Sequence, residues 1–199
     1  MSYLSKEKMK KIALTGNIGC GKSYVAKIMQ SYGVCVFDCD KIAMEVRNQN
    51  LETLSKMFHI DAKDTQKLAD LVFHDDVKRK QLENFLYPMI QEEILRLFSL
   101  HQDKALVVIE IPLVYEKGWE FLFDEIWVVA CDEKTAMQRL MKYRNMSEEE
   151  ATRRLHKQMP LSEKVQRAHV VLYNEEENEI EAQIQCLLKK EGIVHVKAG

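Results

Sequence analysis

Apolar residues along the chain fall into two rhythms. Short, nearly continuous runs occur at Lys11-Ile12-Ala13-Leu14-Thr15, Val34-Cys35-Val36-Phe37, 105–109 and 126–130, with a weaker fifth at His169-Val170-Val171-Leu172. Runs of this length and β-branched content predict strands buried on both faces. Between them the apolar positions return every three or four residues. Val25, Ala26, Ile28 and Met29 mark a helix from Lys22 to about Tyr32, stopped by Gly33, and similar patterns cover about 76–100 and 132–144. Met57, Met89, Met137 and Met141 fall at core-like spacing and read as packing. Strands alternating with helices predict a doubly wound, parallel five-stranded α/β sheet with ligands beyond the carboxyl ends of its strands.

Two stretches exceed what a simple crossover needs. Residues about 51–100 read as entirely helical and predict an insert on the substrate side. Residues about 145–165 open with Ser147-Glu148-Glu149-Glu150, a capping box for a helix that ends near Pro160, and predict a lid. No Pro/Gly/Ser linker divides the chain, so 1–199 is expected to form a single domain carrying both excursions.

Composition narrows the classes. With 46% hydrophobic and 30% charged residues the chain is a globular one, and its formal net charge of −2 argues against a general nucleic-acid binder. No apolar run approaches a membrane span, and residues 1–6 lack the apolar stretch of a signal peptide. The five cysteines have no C-x-x-C pair and read as reduced thiols, which predicts a cytoplasmic protein. Neither pattern nor charge fixes an oligomeric state, and a monomer or weak homo-oligomer is the expectation.

Chemistry enters at Gly16-Asn17-Ile18-Gly19-Cys20-Gly21-Lys22-Ser23, which fits G-x4-G-K-[ST] between the first strand and the first helix. Gly19, Cys20 and Gly21 would turn main-chain amides onto a polyphosphate, and the helix starting at Lys22 and continuing through Tyr24 adds its positive end. Lys22 would bridge the β- and γ-phosphates of ATP, and the Ser23 hydroxyl would ligate Mg²⁺. Cys20 sits where a helix N-terminus lowers a thiol pKa, although a small side chain in that place is also simply tolerated.

The second strand ends in Asp38-Cys39-Asp40. A carboxylate there suits an alcohol acceptor, whose proton it would take, whereas an anionic phosphate acceptor needs no base. One of the two aspartates reads as the catalytic base and the other as the cap of the following helix. Between Arg139 and Arg167 eight Lys/Arg face four Glu, a local basic excess suited to closure over phosphates. Two rivals share these features: another small-molecule or nucleotide kinase, and a nucleotide-dependent switch without catalysis.

The ordered set of motifs resembles the dephospho-CoA kinase family from Lys11 to about Leu188. GNIGCGKS is followed by VFDCDKIA, then by Glu110-Ile111-Pro112-Leu113-Val114-Tyr115-Glu116, by a lid pattern of Arg139, Arg144, Arg154 and Gln158, and by Asn174 after the last strand. The resemblance implies phosphorylation of the 3′-hydroxyl of dephospho-CoA by ATP, with Mg²⁺, as the last step of coenzyme A biosynthesis. It maps the base onto Asp40, places Arg144 near adenine and phosphates, puts Asn174 on the nucleobase side, and sets Asp38, Pro112 and Leu113 with Asp40 on the acceptor side. The chain departs from the family pattern at Tyr87, where His is usual before Pro88, at Thr65 after Asp64, where Arg often stands, and at Glu110 and His169, where Asp is usual.

Overall fold

The computed structural model describes residues 9–61, 65–175 and 177–193. Asp64 and the first eight residues lie outside them. The chain divides into two compact units, one made of 1–37 with 101–199 and the other of Asp38–Leu100.

The first unit carries the sheet. Strand β1 (Lys10–Thr15) leads through the phosphate-loop sequence into α1 (Lys22–Ser31), and β2 (Cys35–Asp38) follows. After the second unit come β3 (Leu106–Glu110), a short 3-10 turn at Glu120–Leu122, and β4 (Glu125–Ala130). The strands run parallel in the order β2-β3-β1-β4-β5, where β5 is Val170–Tyr173. The register sets Ile12 beside Val108 and Glu125, and Val128 beside Val171. Ile12, Leu14, Trp127 and Val129 are fully buried, as continuous apolar strands with both faces covered require. Each such aliphatic side chain contributes about 1.5–3 kcal/mol on burial.

The strands lie within a residue or so of the expected spans, with one difference in kind. The run at 34–37 reads as fully buried, yet all four residues of β2 are half-buried. β2 is an edge strand, so one of its sides has no neighbouring strand.

Helix α6 (Glu133–Arg144) starts at Asp132, whose carboxylate accepts the Thr135 amide, and ends at Asn145 in the left-handed region. Helix α7 (Glu148–His156) starts at Ser147, whose hydroxyl accepts the Glu150 amide, so the capping residue read from sequence does cap. The chain then reaches Pro160, the N-cap of α8 (Leu161–Arg167), so residues 145–165 hold two short helices where one was expected. The closing helix α9 (Glu177–Lys190) packs on α1. Of the methionines expected to be core, Met137 packs against the apolar cluster but Met141, further along α6, is 44% exposed.

The second unit is helical. It comprises α2 (Cys39–Gln49), α3 (Leu51–Phe58), α4 (Thr65–His74) and α5 (Asp76–Leu100), with α5 packed against α2 and α4. Pro88 lies inside α5, where it removes one main-chain hydrogen bond. Tyr87 beside it is half-buried, and burial, followed by its hydrogen bond with Glu83, raises its phenol pKa above the ordinary value.

Candidate functional site

The phosphate loop is held in shape by contacts from distant parts of the first unit. Gly21, the residue before α1, has φ 84°, and a Cβ there would stand 2.2 Å from Asn174 Nδ2. Gly19 has φ 85° and would drive a Cβ to 2.8 Å from the main-chain oxygen of Ala136 on α6. Only glycine fits either place. The tight approach at Gly21 lets Asn174 Nδ2 donate to the Cys20 carbonyl at 2.8 Å. Asn174 is itself held by its amide, bonded to the Ala130 carbonyl, and by its own carbonyl, which accepts from Arg139 at 2.8 Å. Arg139 also donates to the Glu175 carbonyl, so this residue of α6 braces the turn after β5.

A second set of contacts ties the loop to the segment between α7 and α8. The Ile18 amide donates to Gln158 Oε1 at 2.7 Å, and Asn17 Nδ2 donates to the Met159 carbonyl at 3.1 Å. The Met159 amide donates in turn to Glu116 Oε1 at 3.1 Å. Glu116 forms an ion pair at 2.8 Å with Lys164, whose side chain is completely buried. Lys164 also donates to the Pro112 carbonyl, which accepts from the Thr15 hydroxyl as well. Pro112 thus joins the end of β1 to α8, and Leu113 beside it is half-buried.

Within the loop the Lys22 ammonium donates to the carbonyls of Gly16 at 2.9 Å and Asn17 at 3.3 Å. Burial pushes its pKa below the ordinary 10.5, only partly offset by the negative charges of Cys20 and Glu110, while Lys164 and Arg144 push it lower still. Helix α1 starts directly after the loop, and the positive end of its dipole favours anions there. The Ser23 hydroxyl donates to Glu110 Oε1 at 2.7 Å. Tyr24, next along α1, is 41% exposed.

Cys20 meets a partner that the sequence reading missed. The Cys131 thiol donates to Cys20 Sγ at 3.3 Å. That hydrogen bond, assisted by the Lys22 charge and opposed by burial, lowers the Cys20 pKa from 9.0 to about 7. The same contact and burial push Cys131 well up. One signal was available: Cys131 directly follows β4, Cys20 lies five residues after β1, and β1 and β4 are neighbours whose carboxyl ends converge.

Arg144 closes α6 and is exposed, and exposed Arg154 on α7 pairs with Glu150 at 2.8 Å. In the second unit Asp38 caps α2, its carboxylate accepting from the amides of Asp40 at 2.9 Å and Lys41 at 3.4 Å. Asp40 stands in the first turn of that helix. Between them Cys39 is buried, and burial with the two aspartate charges pushes its thiol up to about 12. His169 Nδ1 accepts from the Ile126 amide and so belongs to the sheet scaffold.

A glycine-rich phosphate loop between the central strand of a five-stranded parallel sheet and its first helix, with a lysine and a hydroxyl at its end, defines a P-loop kinase-type nucleotide site. The family model for dephospho-CoA kinase matches residues 10–180. A curated dephospho-CoA kinase of Bacillus cereus is 36% identical over 195 residues, covering 92% of this chain and 98% of that protein. Among solved structures, one from Thermus thermophilus superposes with a TM-score of 0.84 at 34% identity, covering 92% of this chain and 98% of the other. Dephospho-CoA kinase from Campylobacter jejuni gives 0.71 at 26% identity, covering 90% and 96%. The chain belongs to the dephospho-CoA kinase family.

Proposed function

We propose that the chain transfers the γ-phosphoryl group of ATP to the 3′-hydroxyl of the dephospho-CoA ribose, giving coenzyme A and ADP as the last step of coenzyme A biosynthesis. ATP-dependent phosphorylation of dephospho-CoA is the activity of the family to which it belongs. The observation that carries the reading for this chain is the braced phosphate loop, with Lys22 on its carbonyls and Ser23 against Glu110.

Phosphoryl transfer asks little covalent chemistry of a protein. Positioning and charge stabilisation do most of the work. The amides of Gly19, Cys20, Gly21, Lys22 and Ser23, with Tyr24 following, receive the phosphates. The Lys22 ammonium leaves the Gly16 and Asn17 carbonyls for the β- and γ-oxygens, and Arg144 adds charge as the bond to the leaving oxygen lengthens. Asn174 is assigned to the nucleobase side, and Arg139, read from sequence as a lid residue, holds the Asn174 carbonyl at 2.8 Å. We assign the base to Asp40, which takes the proton of the attacking hydroxyl, because Asp38 is already committed to capping α2. Asp38, Pro112 and Leu113 are assigned to the acceptor side, together with the helical stretch about 51–100. Arg154 and Gln158 belong to a lid over about 145–165, whose anchored end is the Gln158–Lys164 segment bound to the loop and to Glu116.

The oxygen donors at Ser23 and Glu110, 2.7 Å apart, fit Mg²⁺, a hard cation that takes one or two protein oxygens beside substrate phosphates. Bound there, it would neutralise charge on the transferred group. We further propose a cytoplasmic setting, supported by five free cysteines, and function as a monomer or weak homo-oligomer. Among the described residues no helix is long and apolar enough to cross a membrane.

Incubation with ATP, Mg²⁺ and dephospho-CoA, followed by mass spectrometry for coenzyme A, tests the reaction. AMP, gluconate and shikimate serve as competing acceptors, and strong preference for AMP would overturn the reading. Asp40→Asn is expected to lower turnover by about 100-fold or more while ATP still binds.

A further inference from the structure

Two thiols 111 residues apart in sequence meet at 3.3 Å, one inside the phosphate loop and the other at the end of β4. We propose that Cys20 and Cys131 are a modification site: a hydroperoxide converts them to a disulfide that reversibly disables the phosphate loop.

Geometry supplies the main argument. A disulfide needs the sulfurs about 2.05 Å apart, so they must close by little more than ~1 Å. Both cysteines line one cavity of about 470 Å³, shared with Asn17, Ala136, Leu155 and Gln158. Such a space has ample room for a molecule little larger than water. Its wall includes the polar side chain of Asn17, which is 6% exposed and whose Oδ1 has no partner among the described residues. The lowered Cys20 pKa supplies the nucleophile near neutral pH, and the Cys131 thiol stays protonated beside it.

The chemistry balances with hydrogen peroxide as oxidant. The Cys20 thiolate attacks one peroxide oxygen; an S–O bond forms, the O–O bond breaks, and the leaving hydroxide takes a proton and departs as water. The Cys131 sulfur then attacks the sulfenic sulfur of Cys20. The S–S bond forms, the S–O bond breaks, and the departing hydroxide carries off the Cys131 proton as a second water. Two thiols are oxidised by two electrons and one peroxide is reduced to two waters.

The consequence falls on the loop. Cys20 contributes an amide to it and is fixed through its carbonyl to Asn174. Drawing its side chain toward β4 shifts the phosphate-binding amides by up to ~1 Å, and a displacement of that size costs about 100-fold in rate. Cys39, by contrast, is buried with its thiol pushed up to about 12, and Cys186 on α9 is exposed.

The test begins with the reduced wild-type enzyme, whose turnover is recorded before any oxidant is added. Hydrogen peroxide is then titrated in, free thiols are alkylated, and peptides are mapped without reduction. The expected result is a linked peptide joining Cys20 to Cys131 that accumulates in step with an activity loss of about 100-fold, both reversed by dithiothreitol. Cys131→Ser should keep its basal activity, give no linked peptide and lose dithiothreitol-reversible inactivation. Cys186→Ser should respond as wild type does. Reversible inactivation of wild type without the linked peptide would overturn the proposal, as would a linked peptide that leaves activity intact. Because the map is read on the unaltered protein, a poorly folding variant does not decide the outcome.

Discussion

The Lys164 ammonium and the Glu116 carboxylate meet at 2.8 Å, with the Lys164 side chain wholly removed from water. The pair fastens α8 to the stretch after β3, and through Met159 it reaches the segment that grips the phosphate loop. Removing one member of a buried pair strands the other. Lys164→Met should therefore destabilise the protein by about 3–5 kcal/mol. Adding Glu116→Gln removes the stranded charge while keeping an acceptor for the Met159 amide, and should recover most of that loss. Urea denaturation of the two single variants and the double variant measures the coupling.

The brace at Asn174 makes a separate prediction. Asn174→Ala leaves the Cys20 carbonyl without its donor, at a cost of about 1–3 kcal/mol. Isothermal titration with ATP should show weakened binding, with the loss distinct from any change in melting temperature. Gly21→Ala should abolish ATP binding, since a Cβ would collide with Asn174 Nδ2. Combining it with Asn174→Gly should not restore binding, because φ of 84° stays unfavourable for alanine.

For Ser23 and Glu110 the readout is the cation. Ser23→Ala or Glu110→Gln should raise the Mg²⁺ concentration needed for half-maximal activity by about 10- to 100-fold. A curve of rate against Mg²⁺ that superposes on wild type for both variants would remove them from the cation site.

A pH dependence follows from Lys10, whose ammonium bonds Glu125 at 2.9 Å and Glu191 at 2.8 Å. The hydrogen bond to Glu191, then that to Glu125, raises the Lys10 pKa above 10.5. Burial pushes Glu125 upward, but the hydrogen bonds from Lys10 and Trp127 prevail and leave it below 4.5. A raised lysine pKa contributes stability in full below 10.5, lost as pH rises through the folded value. A lowered glutamate pKa contributes stability above 4.5, lost as pH falls through its folded value. Lys10→Met should therefore destabilise most between these limits and progressively less beyond either. Lys10 is more than a third exposed, so solvent screening holds the effect to about 1 kcal/mol at most. Melting temperatures of wild type and variant across pH measure it.

Much of this architecture is written locally. The run 11–15, the loop 16–23 and the helix after it carry period, glycines and a stop signal within about twenty residues, and Ser147 declares itself as a cap by the glutamate three positions on. What could not be read depends on neighbours remote in sequence. Lys164 looks like one more charge on a solvated basic stretch until Glu116 closes on it. Arg139 reads as a lid arginine, yet its bonds go to the carbonyls of Asn174 and Glu175. The division at Pro160 into two helices was half visible, since proline both ends one helix and opens the next. The Cys20–Cys131 contact needed the order of strands, which no single segment encodes.

The bond from Asn174 to the Cys20 carbonyl spans 154 positions of the chain. A ribosome delivers the nucleotide cradle early and its clasp near the end. Nascent chains stopped before β5 would carry the whole signature sequence but lack the side chain that closes behind it. Full-strength nucleotide binding is thus expected only once the residue after β5 has been made and the sheet is complete.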